Sequence, residues 1–456
     1  MVTVPAVVIA APASGSGKTT LATGLLGALR RAGHRAAGFK VGPDFIDPGY
    51  HGLATGRPGR NLDPVLVGPE LIGPLYRHGA AGSDIAVVEG VMGLFDGRIA
   101  AGTGLPAGST AQVAGLLGAP IVLVVDARGQ SQSLAALLHG FASFDPGTAL
   151  AGVILNRVGS PRHEQVLREA CATVGLPVLG AVPRTTELEL PSRHLGLVTA
   201  HEHGAAADAA VTAMAEVVSR HVDVAAVAAL ARAAAATAPW SPHRAVGEPV
   251  PGRPVVAVAA GRAFTFGYPE HTELLAAAGA DVLTFDPLAD VLPERTAAVL
   301  LPGGFPEQYP EELSANAALR SQLRDFGGPV YAECAGLTYL MDDLDGHPMC
   351  GVLAGSARFT ARLTLGYRDA VAVADSCVHR VGQRVVGHEF HRTAVDYADD
   401  YPPAWKFRDG AGNPVSDGAV RGAVFGSYLH THPAATGDAV ARFVGLAAER
   451  VAKLTG

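Results

Sequence analysis

Cysteine is scarce in this chain. Cys171, Cys334, Cys350 and Cys377 are the only four in 456 residues, and none has the C-x-x-C spacing of a structural zinc site. That excludes a disulfide framework and points to a reducing, cytoplasmic compartment. An excess of positive charge is also missing. Lys+Arg total 35 against 42 Asp+Glu, a formal net charge of −7. This balance argues against nucleic acid or an anionic membrane as the main partner. No uncharged apolar run of membrane-spanning length occurs. The alanine-rich stretch 204–238 is broken by Asp208, Glu216, Arg220, His221 and Asp223, as suits soluble helices. A basic leader is missing as well: the N-terminal apolar run enters a glycine loop directly, which reads as a buried strand. Lysine is rare beside arginine, a sign of a GC-rich genome that carries no structural message.

What the chain does have is length and apolar content. At 456 residues and 48% hydrophobic, it exceeds what one core usually accommodates, so two domains are expected. Residues 239–253 are rich in Pro and Gly without periodicity and read as a linker between domains at 1–238 and 254–456. In both halves apolar strands alternate with helical patterns, which predicts an α/β fold with mostly parallel sheets.

The first half opens with a buried strand at 4–11, then SGSGKTT, then a helix from about Thr19 to Ala32 with Leu21, Leu25, Leu26 and Leu29 on one face. Strand, glycine loop and helix form the P-loop layout, in which loop amides and a helix N-terminus cradle phosphate. Ser14, Gly15, Ser16, Gly17, Lys18, Thr19 and Thr20 are the ATP-binding candidates. Lys18 would reach the outer phosphates and the Thr19 hydroxyl would hold Mg²⁺. The pattern departs at its first position, where Pro12 replaces the usual glycine. A second strand, Ala36–Val41, is stopped by Gly42-Pro43, and Asp44, Asp47 and His51 follow in a loop. These carboxylates suit a metal or a substrate, or else only Asx turns. A third strand ends at Glu89, a metal candidate, with Asp96 in the glycine-rich loop beyond as a weaker ligand or a turn residue. Further strands at 120–125, 151–155 and 177–182 complete the half. Asn156 beyond one of them reads as a base contact or a helix cap.

The second half is organised around YAECAGLTYL at 331–340. Cys334 sits where an apolar strand meets a helical pattern, as a nucleophile at a strand-to-helix elbow does. A free thiol is only a few per cent ionised near neutrality and needs a base. His430, at the end of the strand-like run AVFGSYLH, is the leading candidate among seven histidines. The Gly303-Gly304 turn lies at another strand end. Its Gly304 amide and that of Ala335 are candidate oxyanion donors. Singly, Cys334 reads equally as a buried core residue and His430 as a strand-end histidine. Together they describe acyl transfer.

The Pro302-Gly303-Gly304 turn, the AECAG elbow and the late histidine resemble a class I glutamine amidotransferase domain. The elbow has Ala332 where the class has glycine, and it keeps Gly336. The usual His-x-Glu reads His430-Thr431-His432 here, as in the corrin-pathway branch with its Cys-His dyad, so the orienting partner of His430 is unidentified. Over its whole length the chain resembles the cobyrinic or hydrogenobyrinic acid a,c-diamide synthases of cobalamin biosynthesis. The resemblance rests on ASGSGKTT, KVGPDFIDP, VVEGVMGLFDG, LPGGFPE, YAECAGLTYL, GHEFHRT and SYLHTH, in that order. It implies a dethiobiotin synthetase-like P-loop domain, a group that also lacks the first loop glycine, followed by a glutaminase domain.

The resemblance further implies a C–N ligase that takes glutamine, ATP and a corrinoid. Cys334 and His430 would release ammonia from glutamine. ATP with Mg²⁺ would activate the a and c acetate carboxylates of the ring as acyl phosphates. Metal ligands fall to Thr19, Asp44 and Glu89, and substrate contacts to Asp44, Phe45, Ile46 and Asp96. GHEFHRT (387–393) is left among lining a domain interface, positioning His430 and packing. A homodimer is compatible with the sequence, which does not specify one. The rival readings are the same chemistry on a nickel sirohydrochlorin and a partitioning-type P-loop ATPase with a non-catalytic second domain.

Overall fold

The computed structural model describes residues 3–99, 104–184, 192–193, 196–197, 204–234 and 237–455. The chain divides into two compact units, residues 1–240 and 241–456. No helix among the described residues is long and apolar enough to cross a membrane.

The first unit is built on a seven-stranded sheet. Its strands are β1 (Ala6–Ala10), β2 (Ala36–Val41), β3 (Arg60–Leu62), β4 (Ile85–Glu89), β5 (Ile121–Asp126), β6 (Leu150–Val158) and β7 (Val178–Pro183). Their order is β3-β2-β4-β1-β5-β6-β7, and every neighbouring pair is parallel. Central strands β1, β2 and β4 are buried along their whole length, so they read as continuous apolar runs without alternation. A short antiparallel pair, β8 (Ser192–Arg193) and β9 (Gly196–Leu197), lies outside this sheet.

Two expectations about this unit are corrected. Asp47 and His51 are not loop residues: they belong to a helix, Asp47–Thr55, with Pro48 in its first turn, where a missing N–H costs nothing. Asn156 and Arg157 lie within β6 and not beyond it, and Ser160 caps the following helix in place of Asn156.

In the second unit, β10 (Val255–Ala259), β11 (Asp281–Phe285), β12 (Thr296–Leu301) and β13 (Val330–Glu333) run parallel. A second sheet begins with β14 (Asp343–Leu344), β15 (His347–Pro348), β16 (Gly355–Ala372) and β17 (Arg384–Tyr397). It goes on through β18 (Trp405–Arg408) and β19 (Pro414–Asp417). The chain then returns to the first sheet with β20 (Ala419–Arg421) and β21 (Val424–Ser427), and ends in the second with β22 (His430–Thr431). The sheet orders are β11-β10-β12-β13-β21-β20 and β15-β14-β16-β17-β22. The long antiparallel pair of β16 and β17 is absent from the sequence reading, because its alternation is diluted by charged residues on partly exposed positions. The strand-like run 423–430 is likewise two strands in different sheets, split at Tyr428-Leu429. Part of the expected linker is ordered too: Pro242–Val246 form a short helix capped by Gly247 in a left-handed conformation.

The P-loop helix Lys18–Arg31 carries Gly24 and Gly27 in mid-helix, each costing about 1 kcal/mol against alanine by intrinsic propensity. Close packing explains them. A Cβ on Gly24 would lie 2.7 Å from the Met214 carbonyl and one on Gly27 2.7 Å from the Ala215 Cβ, both on helix Ala205–His221. Gly24→Ala is therefore expected to lower the thermal unfolding midpoint of the first unit, the packing strain of roughly 1–3 kcal/mol outweighing the propensity gain. A raised midpoint would mean that propensity wins.

Candidate functional site

In the first unit the P-loop turns through left-handed positions at Gly15 (φ 78°) and Gly17 (φ 95°) and enters its helix at Lys18. Pro12 is not one of these positions, which is why proline is tolerated there. Asn156 Nδ2 donates to the Ser16 carbonyl at 2.9 Å and Arg157 Nη1 to the Gly15 carbonyl at 2.8 Å. A Cβ on Gly17 would lie 2.3 Å from Asn156 Nδ2, so glycine is needed for space as well as for φ. Asn156 thus props the loop from β6. Lys18 Nζ donates to the Met92 carbonyl, and burial, followed by the charge of Lys40, pulls its pKa down to about 8.

Next to the loop lies a buried charge cluster. Glu89 ends β4 with no solvent exposure. Thr19 Oγ1 donates to its Oε1 at 2.6 Å, Lys40 Nζ lies 3.0 Å from the same oxygen, and His51 Nε2 is 2.7 Å from Oε2. Lys40 also pairs with Asp47 at 2.7 Å, and Thr19 reaches Asp47 at 3.3 Å. Burial alone would raise the Glu89 carboxyl, but Lys40, His51 and Thr19 hold it well below the ordinary range. Asp47 is pushed the other way, by burial and then by the neighbouring carboxylates of Asp44 and Glu89.

The sequence reading passed over Lys40 and named His51 without giving it a role. Two signals were present, a lysine inside an apolar strand and Asp47 with His51 four residues on, while the register of Lys40 with Glu89 appears only in the sheet. The chain has four lysines, and two of them are here. Asp44 is engaged otherwise. Its Oδ1 accepts from the amides of Ile46 (2.8 Å) and Asp47 (2.9 Å), which is Asx-turn chemistry. Phe45 and Ile46 beside it are buried. Asp96 likewise closes a turn, accepting from the Gly93 amide at 2.8 Å.

In the second unit Cys334 stands between β13 and helix Ala335–Leu340 at φ 49°, ψ −98°, a left-handed position that costs a non-glycine residue about 1–3 kcal/mol. Its amide donates to the Ser427 carbonyl at 2.7 Å, tying the elbow to β21. A Cβ on Gly336 would lie 2.2 Å from the Leu301 carbonyl, so only glycine lets the elbow helix settle on β12. The backbone amides of Ala335 and Gly304 favour the ionised form of this sulfur. Gly303 carries the His430 ring against it: a Cβ there would lie 2.3 Å from His430 Cε1. One glycine turn is therefore packed directly against the histidine ring. Burial pushes the thiol far up, and the Glu307 carboxylate adds to this, against the two amides. The resting sulfur is a neutral thiol, and ionising it requires a proton acceptor.

The segment 387–393 forms the middle of β17 at this site. Phe390 O lies 3.8 Å from Cys334 Sγ, and His388 is the register partner of His430. Glu389 is paired with Arg368 at 2.5 Å, and the His391 ring stacks on Tyr428 at 3.8 Å. His432, at the usual carboxylate position, accepts from the Ala434 amide at 3.3 Å and packs on Tyr268. Glu333, not considered from the sequence, places Oε2 3.6 Å from His430 Nδ1.

Residues 7–198 match the CobQ/CobB/MinD/ParA nucleotide binding domain, and residues 255–437 match the CobB/CobQ-like glutamine amidotransferase domain. The chain is 68% identical to the hydrogenobyrinate a,c-diamide synthase of Mycobacterium tuberculosis, covering 98% of each chain. It belongs to the hydrogenobyrinate and cobyrinate a,c-diamide synthase family. The Streptomyces coelicolor hydrogenobyrinate a,c-diamide synthase is 55% identical, over 97% of each chain. The cobyrinate a,c-diamide synthase of Syntrophotalea carbinolica is 43% identical, over 96% of this chain and 98% of that one. An amide-forming ligase of this family uses a nucleotide in its first domain and glutamine as nitrogen donor in its second. The P-loop and the elbow are the matching features here.

The buried cluster around Glu89 yields a test. Lys40→Met leaves Glu89 and Asp47 buried without the ammonium between them and is expected to destabilise the first unit by about 3–5 kcal/mol in denaturant unfolding. Adding Glu89→Gln should recover part of that loss. No recovery would show that Lys40 acts by packing alone.

Proposed function

We propose that this chain converts hydrogenobyrinate to its a,c-diamide, with ATP and glutamine as co-substrates, as a step toward cobalamin. The observation that carries this is one chain holding a P-loop with its buried acid and a cysteine at a strained strand-to-helix elbow. The metal-free ring is supported by the relatives at 52–68% identity, which are hydrogenobyrinate synthases, while at 43–44% synthases of both kinds occur. A nickel-containing ring and a partitioning ATPase are not favoured by these relatives.

In the second unit the glutamine carboxamide meets Cys334. His430 accepts the thiol proton as sulfur bonds to the carbonyl carbon. The oxyanion falls to the amides of Gly304 and Ala335, each such donor contributing about 3–4 kcal/mol to catalysis. His430 returns the proton to the leaving ammonia, and water, activated by the same imidazole, hydrolyses the thioester to glutamate. In the first unit the residues Ser14 to Thr20 hold the ATP phosphates. A ring carboxylate attacks the γ-phosphorus, ADP leaves, and ammonia displaces phosphate from the acyl phosphate. Lys18 offsets charge on the transferred group.

Mg²⁺ fits the oxygen donors beside the loop. Thr19 Oγ1 lies within hydrogen-bond reach of both Glu89 and Asp47. Among the described residues no group of three His, Cys, Asp or Glu forms a metal cage, which suits an ion held mainly by phosphate, water and one or two protein oxygens. Thr19 and Glu89 would hold it, with Asp47 in the place the sequence reading gave to Asp44. When bound, the ion supplies charge neutralisation on the phosphates. Four unpaired cysteines fit a cytoplasmic enzyme.

Two variants separate the two activities. Cys334→Ala should abolish glutaminase activity while ammonium-driven amidation persists. Lys18→Ala should lower amidation from either nitrogen source by about 10²-fold or more and leave glutamine hydrolysis measurable. Isotope-labelled glutamine and product mass spectrometry read both. Normal glutamine hydrolysis in Cys334→Ala would remove the nucleophile from the reading.

A further inference from the structure

Glu333 is the last residue of β13 and immediately precedes the nucleophile, a position that the class motif leaves unspecified. Its side chain is 5% exposed. A carboxylate so buried costs several kcal/mol unless it is paired. Its one ion pair among the described residues is with His430 Nδ1, at 3.6 Å. The other oxygen, Oε1, accepts from the Tyr331 hydroxyl and, at 3.3 and 3.4 Å, from the amide and hydroxyl of Thr431. These contacts lock the carboxylate between β13 and β22, the strands that carry the cysteine and the histidine. Meanwhile His432, two residues beyond the base, is turned to the Ala434 amide and the Tyr268 ring. A carboxylate thus reaches Nδ1 of the base from the other side of the site.

We propose that Glu333 is the positioning residue of the glutaminase base. It holds His430 with Nδ1 protonated, leaves Nε2 to exchange the proton with Cys334, and stabilises the imidazolium formed when the thiol gives that proton up. This rests on reading Cys334 and His430 as the glutaminase pair. The proton moves from sulfur to Nε2, and Glu333 stays ionised throughout. A 3.6 Å contact in the free enzyme is of the kind that tightens once glutamine is bound. Burial would raise the Glu333 carboxyl, but His430, then His271 and Tyr331, hold it below its ordinary range. The other titratable groups around the pair are Cys334 itself, His271 from helix Pro269–Ala277, His388 from β17 and His379. Burial, together with the charges of His430 and Arg368, keeps His388 neutral, its pKa down to about 3.

Glu333→Gln keeps the size and one acceptor, turns the other oxygen into an N–H donor and removes the charge. It is expected to lower kcat for glutamine hydrolysis at least about tenfold with KM within about twofold. The acid limb of the pH–rate profile should move to lower pH, because the imidazolium loses its counter-charge. Ammonium-driven amidation should stay within about twofold of wild type, which also reports that the chain is folded. Glu333→Asp should recover part of the rate. An acid limb that does not move in Glu333→Gln, whatever its rate, overturns the proposal and leaves Glu333 a packing residue. Cys334→Ala is run alongside. If it hydrolyses glutamine normally, the glutaminase reading itself falls. If it is inactive while Glu333→Gln behaves as wild type, only the role of Glu333 falls.

Discussion

Both units depend on the same constraint: a glutamate at the end of a buried parallel strand must be satisfied without water. Glu89 ends β4 and Glu333 ends β13. Each lies at the end of a fully buried strand, where an unpaired carboxylate would cost several kcal/mol. Most of the partners come from other elements. Around Glu89 they are Thr19 from the P-loop helix, Lys40 from β2 and His51 from the next helix. Around Glu333 they are Tyr331, Thr431 and His430. Satisfying each acid assembles the groups that the chemistry needs.

The backbone contributes the second half of each site. At the carboxyl edge of a parallel sheet the chain must turn sharply into a helix, and the turn leaves amides free to meet a ligand. In the first unit glycines take the left-handed positions, so the loop is unstrained and can wrap phosphate. In the second unit a cysteine takes such a position, and the strain presents its sulfur to the amides of Gly304 and Ala335. The same edge of the same kind of sheet thus carries a glycine loop in one unit and a cysteine elbow in the other.

Much of this was legible along the chain. The P-loop, the elbow, the glycine turn and most parallel strands are local patterns: a run of four to eight apolar residues followed by small residues of fixed type. What was illegible is non-local. Asp44 and Asp47 lie three residues apart with the same chemistry, and the start of a helix decides that one closes an Asx turn while the other reaches Lys40. Asn156 resembled a cap or a base contact until β6 was seen to extend past it and press it on the P-loop. His430 resembled the end of one strand and sits instead in a second sheet, opposite His388.

By itself, the sequence determined the reaction class and marked the two-part organisation, the phosphate loop and a candidate nucleophile, because each needs particular residue types at short, fixed spacing. Only the tertiary structure shows which acid lies beside which histidine. That choice turns on ångström distances between residues about a hundred positions apart, as between Glu333 and His430, and on which of several chemically equal side chains is buried within reach. Spacing along the chain carries no information about either.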